Sequence, residues 1–261
     1  MILEEIAAAA RARVERLKRD GYYRAIEEQA YCRPAPHPFR FQKQLEKKGL
    51  SVIAELKKAS PSKGVISRDF PFLDIARDYE AAGAAAISCL TEPRWFQGSI
   101  RYLAEVSQAV TIPVLRKDFI VDRCQIEEAA LAGASAVLLI AAILTNRELG
   151  AYMECARKLG LSVLAEAHDG EEVRRLVQAG AGIIGVNNRN LKDFTIDLET
   201  AERLRPLIPR GTLCVAESGM TDPASVRRMR EAGADAVLIG EMLMTAGDRK
   251  ALLREIKREN G

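Results

Sequence analysis

Four times along the chain, a charged stretch with apolar residues at helical spacing gives way to a short unbroken apolar run, each time through the same small residues. Ala82-Gly83-Ala84, Ala132-Gly133-Ala134, Ala179-Gly180-Ala181 and Ala232-Gly233-Ala234 mark these changes, with the glycines 50, 47 and 53 residues apart. A helix that stops at Gly and passes within two residues into a buried strand is the αβ junction of a parallel sheet. The Gly takes the left-handed cap, and the small neighbours let helix and sheet approach closely. Four such periods suit a closed barrel of eight βα units, two to a period.

Between the Gly-marked runs lie four more apolar runs. The pattern predicts strands over Ser51–Glu55, Ala85–Leu90, Pro113–Lys117, Ala136–Ile140, Ser162–Glu166, Gly182–Asn187, Leu213–Glu217 and Ala236–Gly240. Continuous rather than alternating hydrophobicity is expected of strands buried on both faces. The connecting segments have helical spacing with charged outer faces, and Asp222-Pro223 has the look of an N-cap followed by Pro at the first helical position. The fold class is therefore α/β, a (β/α)8 TIM barrel. Residues 1–48 precede it as a helical extension, with a helix over Ile2–Arg19, a Tyr-rich turn and a Pro-rich connection, and 49–261 form the barrel of one single domain.

Composition narrows the picture. At 261 residues, 48% of them apolar, the chain matches the roughly 250 residues of such a barrel. Lys and Arg exceed Asp and Glu by only three and no polybasic block stands out, so no nucleic-acid partner is expected. The longest apolar run, 134–144, falls far short of the ~20 residues that a bilayer requires, and Glu4 and Glu5 interrupt the first apolar stretch, which argues against a signal peptide. Five scattered cysteines without a CxxC read as reduced, mostly buried thiols of a cytoplasmic protein, and two histidines without clustered Cys give no metal site. A monomer is the default expectation.

Chemistry in such barrels sits at the carboxyl ends of the strands. Here Glu55, Lys117, Glu166 and Glu217 each follow apolar residues at a strand end, and a fifth strand ends on Asn187-Asn188-Arg189. Polar residues can simply mark a strand's exit to solvent. Three carboxylates, a lysine and an Asn/Arg pair converging on one rim are costly to bury unless they pair or work on a ligand. Ser218-Gly219 after the seventh strand and Gly240-Glu241 after the eighth lie where this architecture cradles phosphate, and Lys57 to Gly64 joins cations, hydroxyls and a Gly turn in one loop. A phosphorylated small molecule is the expected ligand. His168 reads as a surface or helix-start residue, and Arg116 and Asp118 alternate away from the pocket beside Lys117.

The stretches Ile53-Ala54-Glu55-Leu56-Lys57-Lys58-Ala59-Ser60-Pro61-Ser62-Lys63-Gly64, Leu115-Arg116-Lys117-Asp118-Phe119, Val186-Asn187-Asn188-Arg189 and Ala216-Glu217-Ser218-Gly219 together resemble the indole-3-glycerol phosphate synthase family, over about 53–244. The resemblance implies a cofactor-free ring closure of tryptophan biosynthesis, with 1-(2-carboxyphenylamino)-1-deoxyribulose 5-phosphate as substrate and indole-3-glycerol phosphate, carbon dioxide and water as products. It further implies Lys117 as general acid for condensation, Lys57 as carboxylate anchor and candidate acid for dehydration, Glu166 as base, and Glu55 and Glu217 as orienting groups. Asn187 would contact the substrate near its carbonyl, with Arg189 in support. Ser60, Ser218, Gly219, Gly240 and Glu241 would hold the phosphate. Phe119, Leu138 and Leu191 fit either an apolar slot for the anthranilate ring or the plain core. Hydrophobic surroundings are expected to depress the lysine pKa and raise the glutamate pKa. A phosphoribosylanthranilate isomerase-like enzyme would want a Cys/Asp pair at its strand ends, whereas the first strand here ends in Glu55.

Overall fold

The computed structural model describes residues 2–32, 37–190 and 194–260. Eight parallel strands close into a barrel: β1 (Ser51–Leu56), β2 (Ala86–Leu90), β3 (Val114–Lys117), β4 (Ala136–Ile140), β5 (Ser162–Ala167), β6 (Ile183–Asn187), β7 (Leu213–Glu217) and β8 (Ala236–Ile239). Each pairs with its sequence neighbour, and β8 returns to β1 through Ser51↔Ala236 and Ala54↔Ile239. All eight expected strands are present, with ends moved by one residue at most.

The Gly-marked junctions explain themselves in hydrogen bonds. Gly83, Gly133, Gly180 and Gly233 all take positive φ, between 80° and 89°. In the first, Gly83 N–H donates to Glu80 and Ala84 N–H to Tyr79, the paired bonds of a Schellman cap. The same two bonds recur at Gly133, Gly180 and Gly233. A fifth copy at Gly160 leads into β5, where Leu residues instead of Ala flank the glycine and hide the repeat.

Alternation along the strands sorts side chains into two apolar layers. Val52, Ala54, Ile87, Val137, Leu139, Ile184 and Val237 face the surrounding helices. Ile53, Leu115, Leu138, Leu164, Ile183, Val215 and Leu238 fill the barrel interior. The inward residue two places on from most of these is the chemical one: Glu55 after Ile53, Lys117 after Leu115, Glu166 after Leu164, and Glu217 after Val215.

The amino-terminal extension begins as expected with α1 (Ile2–Arg19), whose Ile6, Ala10 and Val14 form a stripe buried in the interior layer. The stretch read as a Tyr-rich turn is instead a nine-residue helix, α2 (Tyr22–Ala30). Gly21, at φ 77°, makes the break, and packing then decides the conformation: Tyr23 is buried and Tyr22 Oη donates to Glu128 at 2.8 Å. A third short helix, α3 (Arg40–Leu45), follows.

Candidate active site

At the carboxyl ends of the strands lies a cavity of about 400 Å³. It is lined by all the residues expected at the site except Leu191, which lies outside the described residues. Its buried end is ionic. Lys117 Nζ donates to Glu166 Oε2 at 3.0 Å and lies 3.4 Å from Glu217 Oε2. Asn187 Nδ2 donates to Glu166 Oε1 at 3.2 Å, and Asn187 Oδ1 in turn accepts from the Arg189 backbone N–H at 3.0 Å. Lys57 pairs with Glu55 beside this group. Glu55, Glu166 and Glu217 are each no more than 2% exposed.

Two glycines make room for these carboxylates. A Cβ on Gly185 of β6 would run into the Glu217 carboxylate, and one on Gly240 would run into Glu55 and touch Lys57 Nζ. The interior is thus bare of side chains where the acids must cross it.

Electrostatics here depart from expectation. Burial by itself lowers the Lys117 pKa, but Glu166, Glu217 and Glu55 outweigh it and the net shift is upward. Burial by itself raises Glu166, but Lys117 and His168 reverse this and hold its carboxyl below the usual range. The expected depressed lysine and raised glutamate are therefore both wrong for this pair, because partners win over desolvation. Glu217 does move upward, through burial and then the neighbouring Glu166 and Glu55, against the pull of Lys117. One lysine thus stands between one firmly ionised carboxylate and one that takes up a proton readily.

The outer part of the cavity holds backbone and hydroxyl groups. Ser218 and Gly219 both take positive φ, 63° and 86°, which turns the chain back over the mouth after β7. Gly240 precedes the short helix Glu241–Thr245. Opposite, Ala59–Ser60 and Gly64–Val65 pair as a small antiparallel ribbon, and Lys63 reaches across the mouth to Glu241 at 3.2 Å. Apolar surface comes from Phe119, Leu138 and Phe96, whose ring centroid lies 6.1 Å from that of Phe119.

Arg116 turns away from the cavity as expected, to Glu128 at 2.8 Å and Asp118 at 3.1 Å. Asp118 instead reaches the cavity edge, although its carboxylate is taken up by Arg116, Thr91 and the Phe119 N–H. His168 is no surface residue either. It lies behind Glu166, 3.3 Å from Oε1, with its side chain 15% exposed. The wall formed by Ile2, Leu3 and Ile6 of α1 was also not foreseen. Its signal was present in the apolar spacing of Ile2, Ile6, Ala10 and Val14, but nothing local says what that stripe covers.

Fold and cavity together define a (β/α)8-barrel enzyme of the acid–base kind, with ammonium and carboxylate groups buried at one end of the cavity. The family model for indole-3-glycerol phosphate synthase matches residues 3–256. Proteins named indole-3-glycerol phosphate synthase from Ruminiclostridium cellulolyticum and Endomicrobium trichonymphae are 50% and 48% identical to the chain, each over 98% of it and over 99% and 100% of their own lengths. In fold alone, the barrel is also similar to thiamine phosphate pyrophosphorylase from Pyrococcus furiosus, at 18% identity and TM-score 0.61 over 80% of this chain and 94% of that one. The chain belongs to the indole-3-glycerol phosphate synthase family, the carboxy-lyases of tryptophan biosynthesis that close the indole ring of indole-3-glycerol phosphate. Among the described residues no helix is long and apolar enough to cross a membrane.

Proposed function

We propose that Lys117 is the general acid of the decarboxylating ring closure of 1-(2-carboxyphenylamino)-1-deoxyribulose 5-phosphate. The observation that carries this reading is its position, with the ammonium inside the cavity between Glu166 and Glu217. A weakly nucleophilic aryl carbon must attack a ketone, so a proton must reach the carbonyl oxygen as the bond forms. Lys117 is fully charged at neutral pH and has that proton to give. Glu166 serves as base in the later dehydration, and Lys57, beside Glu55 at the edge of the ionic group, anchors the substrate carboxylate and supplies the second acid. Glu217 and Glu55 orient the lysines, and Asn187 and Arg189 hold the reacting end. Ser60, Ser218, Gly219, Gly240 and the Glu241 N–H hold the phosphate, while Phe119 and Leu138 flank the aromatic ring with Leu191 as the third member of that slot.

No cofactor takes part in this scheme. The chain acts as a monomer in the cytoplasm, as one domain of extension 1–48 and barrel 49–261, and without a nucleic-acid or membrane partner. Indole fluorescence after mixing with the carboxyphenylamino-deoxyribulose phosphate tests the central assignment. Wild type should generate the signal and Lys117→Ala should lose at least ~100-fold of the rate. Equal rates from both proteins would move the essential acid elsewhere, with Lys57 next.

A further inference from the structure

Beyond the end of β5, His168 falls on the same side as Glu166, two residues on, because Ala167 between them faces the helices. Asp169 then caps the helix Gly170–Gln178, its side chain accepting from Glu172 N–H at 2.9 Å. From this first turn the Glu172 carboxylate reaches back, accepting the His168 backbone N–H at 2.8 Å and facing His168 Nδ1 at 3.1 Å through the same oxygen. The other ring nitrogen, Nε2, faces Glu166 Oε1 at 3.3 Å as an ion pair, off the line of a hydrogen bond.

Both nitrogens thus look at carboxylate oxygens, and an ionised carboxylate can only accept. A neutral imidazole would aim a lone pair at one of them, so the ring carries both protons. Consistently, its pKa rises to about 10: burial opposes the charge, but Glu166 and Glu172 outweigh burial. Beyond Glu166, on its other oxygen, lies Lys117 at 3.0 Å, and Glu217 lies 3.4 Å from that ammonium. Asn187 of β6 supplies a neutral donor to Glu166 Oε1. Arg175, one turn along the helix Gly170–Gln178, is taken up by the carbonyls of Ala141 and Leu144 and by Asn146.

We propose that His168 is a positioning residue for Glu166, an imidazolium strut braced on Glu172 that fixes the carboxylate against Lys117 and keeps it ionised. The inference rests on the acid–base roles proposed above and adds a reason for the direction of proton flow. When Lys117 gives its proton away, Glu166 loses its nearest cation. Without a second one, the same proton could end on Glu166 rather than on the substrate carbonyl. The imidazolium behind Oε1 persists through that step and holds Glu166 ionised, so that it is still available as base for the dehydration that follows. Glu172 keeps the ring in place from a helix that is itself capped, so the strut does not depend on bound substrate.

The chain has two histidines, His37 and His168, so histidine-selective NMR yields two ring signals, assigned by the loss of one in His168→Gln. The His168 ring should stay protonated beyond pH 8, against 6.5 for an ordinary histidine. In Glu166→Gln and Glu172→Gln it should titrate at least ~1 unit lower. In turnover, His168→Leu should lose on the order of 10- to 100-fold in kcat with KM changed less than about threefold, and the acidic limb of its kcat/KM profile should move to higher pH. His168→Gln, which keeps a donor at the position of Nε2, should recover part of kcat but not the limb. A ring that titrates near 6.5 in wild type, or a His168→Leu enzyme with unchanged kcat and limb, overturns the proposal. So does a loss of melting temperature alone. Wild type that made no indole-3-glycerol phosphate would count against the acid–base roles, while the NMR arm would still decide the strut.

Discussion

At the scale of single residues, the missing side chain of Gly185 matters as much as the charges around it. Its absence lets Glu217 lie across the barrel floor within reach of Lys117. Gly185→Ala should displace the Glu217 carboxylate by an ångström or more and lower kcat by roughly 100-fold, with near-UV circular dichroism unchanged. Unaltered kcat in a folded variant would show that Glu217 can be moved freely. Glu55, Lys117, Glu166, Asn187 and Glu217 were legible in the sequence because strand ends are where apolar runs stop, and these residues stop them. Gly185 and His168 were not. Each acts through a neighbour brought in by the barrel closure or by the first turn of the next helix, and sequence spacing carries no trace of that contact. The pKa values were misread for the same reason: burial is visible from an apolar run, whereas the partner that reverses its effect sits on another strand.

At the scale of elements, the repeated junction is the best test of why the strands were found so closely. Gly180 takes φ 80°, and a Cβ there would meet nothing within 4 Å. Any cost of Gly180→Ala is therefore backbone strain and not a clash, and it should come to about 1–2 kcal/mol. Gly180→Asn should cost less, since Asn tolerates the left-handed region. Urea unfolding of the three proteins measures it, and an Ala variant as stable as wild type would remove the cap as the reason for the motif. Where no such fixed geometry exists, sequence said less. Helix α2 depends on Tyr23 burial and on the Tyr22–Glu128 bond to the helix Arg123–Leu131, so its residues read locally as a turn.

At the scale of the whole molecule, two ionic contacts tie the extension to the barrel, one on the buried Asp118 and one nearer the surface at Asp122. Arg13 of α1 lies 3.4 Å from Asp118 Oδ1, Arg116 lies 3.1 Å from its other oxygen, and Lys18 pairs with Asp122. Burial by itself raises both aspartates, but for Asp118 the two arginines and for Asp122 the Lys18 bond and the Cys124 N–H outweigh it, so both sit below the ordinary carboxylate value. A carboxyl whose folded-state pKa is lowered stabilises the fold above the unfolded value, near 3.9, and stops doing so as pH falls through the folded one. Asp118→Asn should therefore destabilise by about 1.5–3 kcal/mol at pH 7, since it takes one of two carboxylates from the buried Arg116 and leaves it Glu128. The difference from wild type should shrink below pH 4. Unfolding curves at pH 7 and pH 3 check both statements, and a gap that stays constant with pH would refute the assignment.

The wall that α1 gives the cavity has a consequence for how the chain comes off the ribosome. Ile2, Leu3 and Ile6 are made long before Leu238 and Ile239 of β8, which enclose the same surface. Until β8 is made, the nascent chain carries this apolar helix with its counterpart unfinished. A helix translated early thus waits for a strand translated late, and the chamber is closed only when α1 and β8 meet.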